Sequence, residues 1–312
     1  MPHELHCCYE KCLCDDKRST RSQSSVRTYC YNICWLAKRM DGFSETDLPD
    51  PEDVIKYCED NDVSLKRRQM SYSSMKVLHN ARDEIAQSRK YAAPLTDVKH
   101  KLTAELDKQE RTERQKACWV DFHDLKKNAK MLTAETVALD KNSLWTKEQF
   151  ARAQLAFILT FHIKYPIRRD LCSVQYGVPE TDNEGNKLIG KEIVLRDHKV
   201  KKFIPEFRFR LDRTMWRLVQ LLRKQHALRG ITSGFLLLNR YWKRMHPNSY
   251  TNWMKREMGK LESWKGKSSG CLAIRHSVIT HRRRNDSTLE KRKEFARCCM
   301  HSASMNEQYR VH

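Results

Sequence analysis

Ile274-Arg275-His276-Ser277, then Met300-His301-Ser302, then Tyr309-Arg310 form the stretch on which the reading of this chain turns. An arginine, a histidine and a tyrosine in that order suit chemistry at a phosphodiester. The transition state of phosphoryl transfer spreads negative charge over oxygens, so a planar guanidinium fork and an imidazole donor aimed at it lower the barrier. Arg275 and His301 carry such groups, and Tyr309, eight residues past His301, carries a hydroxyl able to attack phosphorus. Attack would hold the cleaved strand as a phosphotyrosine, which keeps the bond energy for rejoining without ATP.

Composition sets the frame around that stretch. The 312 residues give room for two domains of ordinary size, each able to bury a core. Lys and Arg total 60 against 39 Asp and Glu, a formal net charge of +21, which points to a polyanionic partner and above all to nucleic acid. Neither an apolar run of about 18 residues nor a signal-peptide core is found, so the chain reads as soluble and intracellular, with no membrane partner. Twelve cysteines without a secretory signal read as reduced thiols. The cluster Cys7, Cys8, Cys12 and Cys14, with Cys30, Cys34, His3 and His6 nearby, has zinc-ligand types, but its spacing fits no standard finger. Metal site and free thiols both remain open.

Along the chain, residues 1–24 lack periodicity and read as a flexible Cys-rich basic tail ending in the helix cap Ser22-Gln23-Ser24-Ser25. Residues 25–92 carry helical patterns: Val26, Tyr29, Ile33, Leu36 and Met40, then Val54, Ile55 and Tyr57 behind Asp50-Pro51, then Met70 to Ala81 behind Ser64. Residues 93–143 read as an exposed charged helical connector, whose 109–116 segment beside Trp119 either faces solvent or lies along a phosphate backbone. Residues 144–312 form the second domain, opening with Trp145-Thr146-Lys147-Glu148-Gln149 and the apolar run Leu155-Ala156-Phe157-Ile158-Leu159. Short strands are expected at 171–176, 187–189, 193–195 and 203–204, around a turn at Asp182-Asn183-Glu184-Gly185, before helices return at 214–225 and 250–261. Mainly α with a small antiparallel β-sheet is the expected fold class. The basic runs Arg282-Arg283-Arg284 and Lys291-Arg292-Lys293 read as a solvated face, a phosphate contact or a nuclear-targeting signal.

The order Arg-His-Ser, helical stretch, Met-His-Ser and tyrosine resembles the carboxy-terminal half of the active site of tyrosine recombinases and integrases. Upstream, Pro166-Ile167-Arg168-Arg169-Asp170 follows the apolar helix where that family has its first arginine, and Asp197-His198-Lys199-Val200-Lys201-Lys202 lies where it has a lysine on a strand turn. The Pro-Ile-Arg-Arg-Asp and Met-His-Ser segments are most similar to the branches of eukaryotic DNA transposons and large DNA viruses. The resemblance implies a helical core-binding domain that clamps DNA, at 25–92, and a catalytic domain at 144–312. It implies Arg168, with its neighbour Arg169 as the alternative, and Arg275 as the phosphate clamp, and Lys199, with Lys201 or Lys202 as alternatives, as the acid for the departing 5′ oxygen. His301 supports the phosphate and Tyr309 attacks it.

Three features depart from the family pattern. Leu272 stands where a histidine is usual three positions before the second arginine, leaving His276 or Lys267 as alternative donors. Met300 replaces the usual glycine before His301, and the interval to Tyr309 is one residue shorter than the commonest one. The implied function is site-specific DNA recombination, integration or transposition through a covalent 3′-phosphotyrosine, with no metal or cofactor, on double-stranded DNA, by protomers that oligomerise there. The nucleus is the implied location if the host is eukaryotic. A catalytically inactive DNA-binding derivative and a type IB topoisomerase are the alternatives. Because phosphate contacts release counterions, nonspecific DNA affinity is expected to fall by roughly tenfold or more between about 50 and about 200 mM salt, and a flat response in a titration by fluorescence anisotropy would contradict a phosphate-binding surface.

Overall fold

A computed structural model describes residues 2–16, 22–44, 47–178, 184–285 and 288–301. The chain divides into two compact units, residues 1–108 and 109–312. The first holds α1 (Pro2–Asp15), α2 (Gln23–Ala37), α3 (Pro51–Asp60), α4 (Leu65–Ala81), α5 (Ile85–Lys90) and α6 (Ala92–Asp107). Ser22 caps α2 by accepting from the Ser25 N–H, and Asp50 caps α3 by accepting from Glu52 ahead of a proline at the first helical position. α4 is the element on which α1, α2, α3, α5 and α6 all pack. Ile33, Leu36, Val54, Met75, Leu78 and Tyr91 form the core between them.

Two expectations change here. α1 occupies what reads in the sequence as a tail: Tyr9 and Leu13 are buried, and the Tyr9 hydroxyl donates to the Ser44 carbonyl at 3.0 Å. Cys8, Tyr9, Cys12 and Leu13 fall at helical spacing, a stripe visible once cysteine is counted as a small apolar residue. Among the described residues no three His, Cys, Asp or Glu side chains converge as a metal would require. The connector expected at 93–143 is likewise split, for α6 buries Leu95 and Val98 in the first unit and its successors belong to the second.

The second unit contains α7 (Glu113–Ala117), α8 (Phe122–Ala138), α9 (Lys147–Lys164), β1 (Lys187–Ile189), β2 (Glu192–Leu195), β3 (Phe207–Arg210), α10 (Arg213–Leu228), α11 (Pro247–Met258), α12 (Cys271–Asn285) and α13 (Leu289–Cys298). Thr146 and Gln149 close a capping box at the start of α9. From Phe150 to Phe161 that helix is apolar nearly all round, so it must be enclosed, and α8, α10, α11 and α12 pack against it. Beside it, β1, β2 and β3 make an antiparallel meander in which Ile193 pairs with both Leu188 and Phe209. The alternation Phe207-Arg208-Phe209-Arg210 puts both rings inward and both arginines outward.

Sequence pattern misplaces two strands. Residues 170–173 form a 3-10 turn, held by the Ser173 hydroxyl donating to the Asp170 carbonyl at 2.9 Å, and only Gln175 makes isolated bridges to Lys187 and Phe235. Phe203, expected in a strand with Ile204, is 87% exposed, and the strand begins at Phe207 instead. Pro205 lies between the two. No described helix is long and apolar enough to cross a membrane. Since Phe157 sits at the centre of the enclosed helix with no exposed surface, Phe157→Ala is expected to cost about 3 to 5 kcal/mol, read as a lower urea midpoint at unchanged slope; a loss under about 1 kcal/mol would contradict its place in the core.

Candidate active site

Helix α9 ends where Pro166 follows Tyr165, because a residue before proline is driven out of the helical region, and Tyr165 sits at φ −127° and ψ 80°. The Tyr165 hydroxyl donates to the Arg210 carbonyl at 2.9 Å, and Ile167 is fully buried. Between these anchors the chain delivers Arg168 to a crevice that Asp170, Lys199, Arg275, Cys299 and Met300 also line.

Arg275 is the floor of that crevice. Ile274, Val278 and Ile279 fix the inward face of α12, and Arg275, one step along it, is 2% exposed. Its guanidinium donates from Nη1 to the Pro166 carbonyl at 2.8 Å and from Nη2 to the Cys299 carbonyl at 2.6 Å. Nη2 also meets Nε2 of His301. One buried fork therefore joins the end of α9 to the end of α13.

His301 reaches this place through the way α13 stops. The Met300 N–H donates to the Arg297 carbonyl and the His301 N–H to the Ala296 carbonyl, both at 2.9 Å, the paired bonds of a Schellman end. Such an end requires a left-handed residue between them, and Met300 supplies it at φ 55°. Glycine adopts that conformation without cost, which is the physical sense of a glycine at this position. Here a buried methionine side chain takes the strain instead.

Four of the five residues expected from sequence thus meet: Arg168, Lys199 and Arg275 line the crevice, and His301 bonds to Arg275. Tyr309 lies outside the described residues, as do Ser302 and Arg310. Arg169 points elsewhere, donating to Asn248 Oδ1 at 2.6 Å. Lys201 pairs with Asp197 at 3.1 Å and Lys202 is exposed. Of the alternative donors, Lys267 bonds to the Trp119 carbonyl at 3.3 Å, and neither it nor His276 is part of the crevice wall. Leu272 is 61% exposed on α12. The Pro166 and Cys299 carbonyls were not anticipated, and a proline after a long helix was their only signal.

Burial raises the Asp170 carboxyl above its ordinary value of 3.8, while the nearby charges of His198, Arg168 and Arg275 pull it back. Burial also holds His198 below 6.5. Behind Arg275, His162 of α9 is fully buried, and burial first and the Arg275 charge second lower it to about 4, against a smaller opposing pull from the Tyr165 backbone. The crevice is cationic over a neutral base.

The backbone arrangement matches solved proteins. The Tn1549 transposon integrase in complex with transposon right-end DNA superposes with a TM-score of 0.58 at 12% identity, over 99% of this chain and 95% of that one. The XerH site-specific recombinase bound to palindromic difH substrate, a post-cleavage complex, gives a TM-score of 0.56 at 12% identity, over 99% of this chain and 80% of that one. The fold is that of the tyrosine recombinases. No family model matches the sequence, and no curated protein matches it. The tyrosine-recombinase fold is therefore carried here by the burial pattern and the order of elements, with little residue identity.

The histidines make a testable statement about stability within this fold. His162 and His226 both sit near 4 when folded against an ordinary 6.5, His226 through burial and then the charge of Arg229. Between those values the unfolded chain binds protons that the folded chain refuses, so stability is full above about pH 6.5 and falls as pH drops toward 4. Each histidine contributes up to about 3 kcal/mol to that fall. Urea midpoints measured from pH 7 to pH 5 should decline, and His162→Phe should flatten the decline; an unchanged slope would show that His162 takes up its proton without unfolding.

Proposed function

We propose that this protein is a site-specific DNA recombinase or integrase that cleaves and rejoins strands through a covalent 3′-phosphotyrosine. The observation that carries this reading is the gathering of Arg168, Lys199, Arg275 and His301 around one crevice. Guanidinium forks and an imidazole so placed suit a phosphate that gains charge in the transition state. Arg168 and Arg275 clamp the scissile phosphate and His301 supports it. The Tyr309 oxygen forms a bond to phosphorus as the bond to the 5′ oxygen breaks. Lys199 gives its proton to that oxygen and recovers one from the phenol, so the step ends with a phosphotyrosine and a 5′ hydroxyl.

Double-stranded DNA as the partner is supported by the net charge of +21 and by the DNA present in the two solved neighbours. The first unit is the DNA-clamping domain in this reading, and strand exchange calls for several protomers assembled on two sites. Leu272 favours one rival, a recombinase-derived protein that binds DNA without cutting it, because an exposed leucine stands where a hydrogen-bond donor is usual. Suicide substrates built from the DNA flanking the gene, incubated in chelator and run on a denaturing gel, separate the two. A covalent adduct that disappears in Tyr309→Phe is expected. The absence of any adduct, or an adduct undiminished in Tyr309→Phe, would remove the mechanism.

A further inference from the structure

Asn186, immediately before β1, makes five hydrogen bonds through its side chain. It is 2% exposed. Its Nδ2 donates to the Asp197 carbonyl at 3.0 Å, to the Ser173 hydroxyl at 2.8 Å and, more weakly, to the Asp170 carbonyl at 3.4 Å. Its Oδ1 accepts from the backbone N–H groups of Arg196 and Asp197, both at 2.9 Å. Both donors and both lone pairs of the amide are used, so no shorter side chain, and no apolar one of the same shape, could satisfy these groups. Its main-chain carbonyl is occupied too, accepting from Gln175 at 2.9 Å.

What these bonds connect gives them meaning. Asp170 and Ser173 belong to the turn that begins two residues after Arg168. Arg196 and Asp197 open the turn that carries Lys199. Lys199 itself is exposed on a long flexible stem; its turn is anchored on the meander side by buried His198 against Phe207 and by Arg196 paired with Glu206 at 2.7 Å, and Asn186 ties it to the Arg168 side. We infer that Asn186 is a positioning residue, which sets the distance between Arg168 and Lys199 so that the arginine holds a phosphate while the lysine reaches its leaving oxygen. The inference rests on the recombinase reading of the crevice and adds a residue to it that touches no substrate. A displacement of about 1 Å in a proton donor is enough to cost on the order of a hundredfold in rate.

Arg168 keeps its own anchors at Ile167 and Tyr165 when Asn186 is changed, so the loss should fall on leaving-group protonation. That distinguishes it from a general loosening. A substrate whose scissile 5′ oxygen is replaced by sulfur releases a thiolate, which is a far weaker base than an alkoxide since thiols ionise near about 8.5, and so departs without an acid. Single-turnover cleavage of oxygen and sulfur substrates should be measured for wild type, Lys199→Ala, Asn186→Ala and the milder Ser173→Ala, with thermal melts of each. Asn186→Ala is expected to lose about a hundredfold on the oxygen substrate and to come within about threefold of wild type on sulfur, as Lys199→Ala does; Ser173→Ala should lose about tenfold with the same rescue. Equal losses on both substrates, no loss in either variant, or failure of both variants to melt cooperatively would overturn the inference. A wild type that cleaves neither substrate would defeat the recombinase reading itself and the inference with it.

Discussion

The second unit depends on a buried positive charge. Placing a guanidinium beneath a protein surface is costly unless its N–H groups are met, and the Arg275 fork is met by carbonyls from two helix ends that are distant in sequence. Each carbonyl stands at a helix end: Pro166 follows the last turn of α9, and Cys299 closes α13. The arginine satisfies both, and they hold its plane still. Fixing the guanidinium also fixes His301 beside it and leaves Arg168 and Lys199 on the rim. An arginine so bound presents a charge without the reorganisation a flexible side chain would need.

How the rest supports that charge follows from α9. A helix apolar on nearly every side has to be wrapped, and the wrapping elements are those that line the crevice: α12 carries Arg275, and the meander leads to Lys199. His162, on the same helix, stays neutral first because it is buried and then because a second cation under the arginine would be repelled. The basic crevice and the apolar core are two faces of one packing arrangement.

Much of this was legible in the amino-acid sequence, for reasons that can be named. The capping box at Thr146 and the run after it marked α9 because both signals are local. Arg168, Lys199, Arg275 and His301 could be ordered because each follows a recognisable local landmark: helix end, strand turn, helix start, helix stop. Arg168 was preferred over Arg169 from its place after the helix, and the structure adds that Arg169 turns to Asn248 instead. α1 was missed because its inward stripe is written partly in cysteine. The strand at Phe207 was displaced toward Phe203 because two aromatic residues bracket a proline and only one is followed by alternation. Asn186 gave no signal at all; an asparagine after Asn183-Glu184-Gly185 reads as more of the same turn, and its partners lie on both sides of it in the chain.

Sequence separation divides the crevice into two parts with different histories during folding. The bonds of Asn186 span 10 to 16 residues, so the lysine turn and the turn after Arg168 close small loops. The bond from Arg275 to Pro166 spans 109 residues and the one to Cys299 spans 24. Loop closure grows more costly with length, and contacts of long range form late. The lysine side of the site is therefore built from local contacts, while the arginine side waits for α12 and α13 to dock on α9. A chain interrupted before that docking has the Arg168 and Lys199 turns in place but not Arg275, so the crevice gains its rim before its floor.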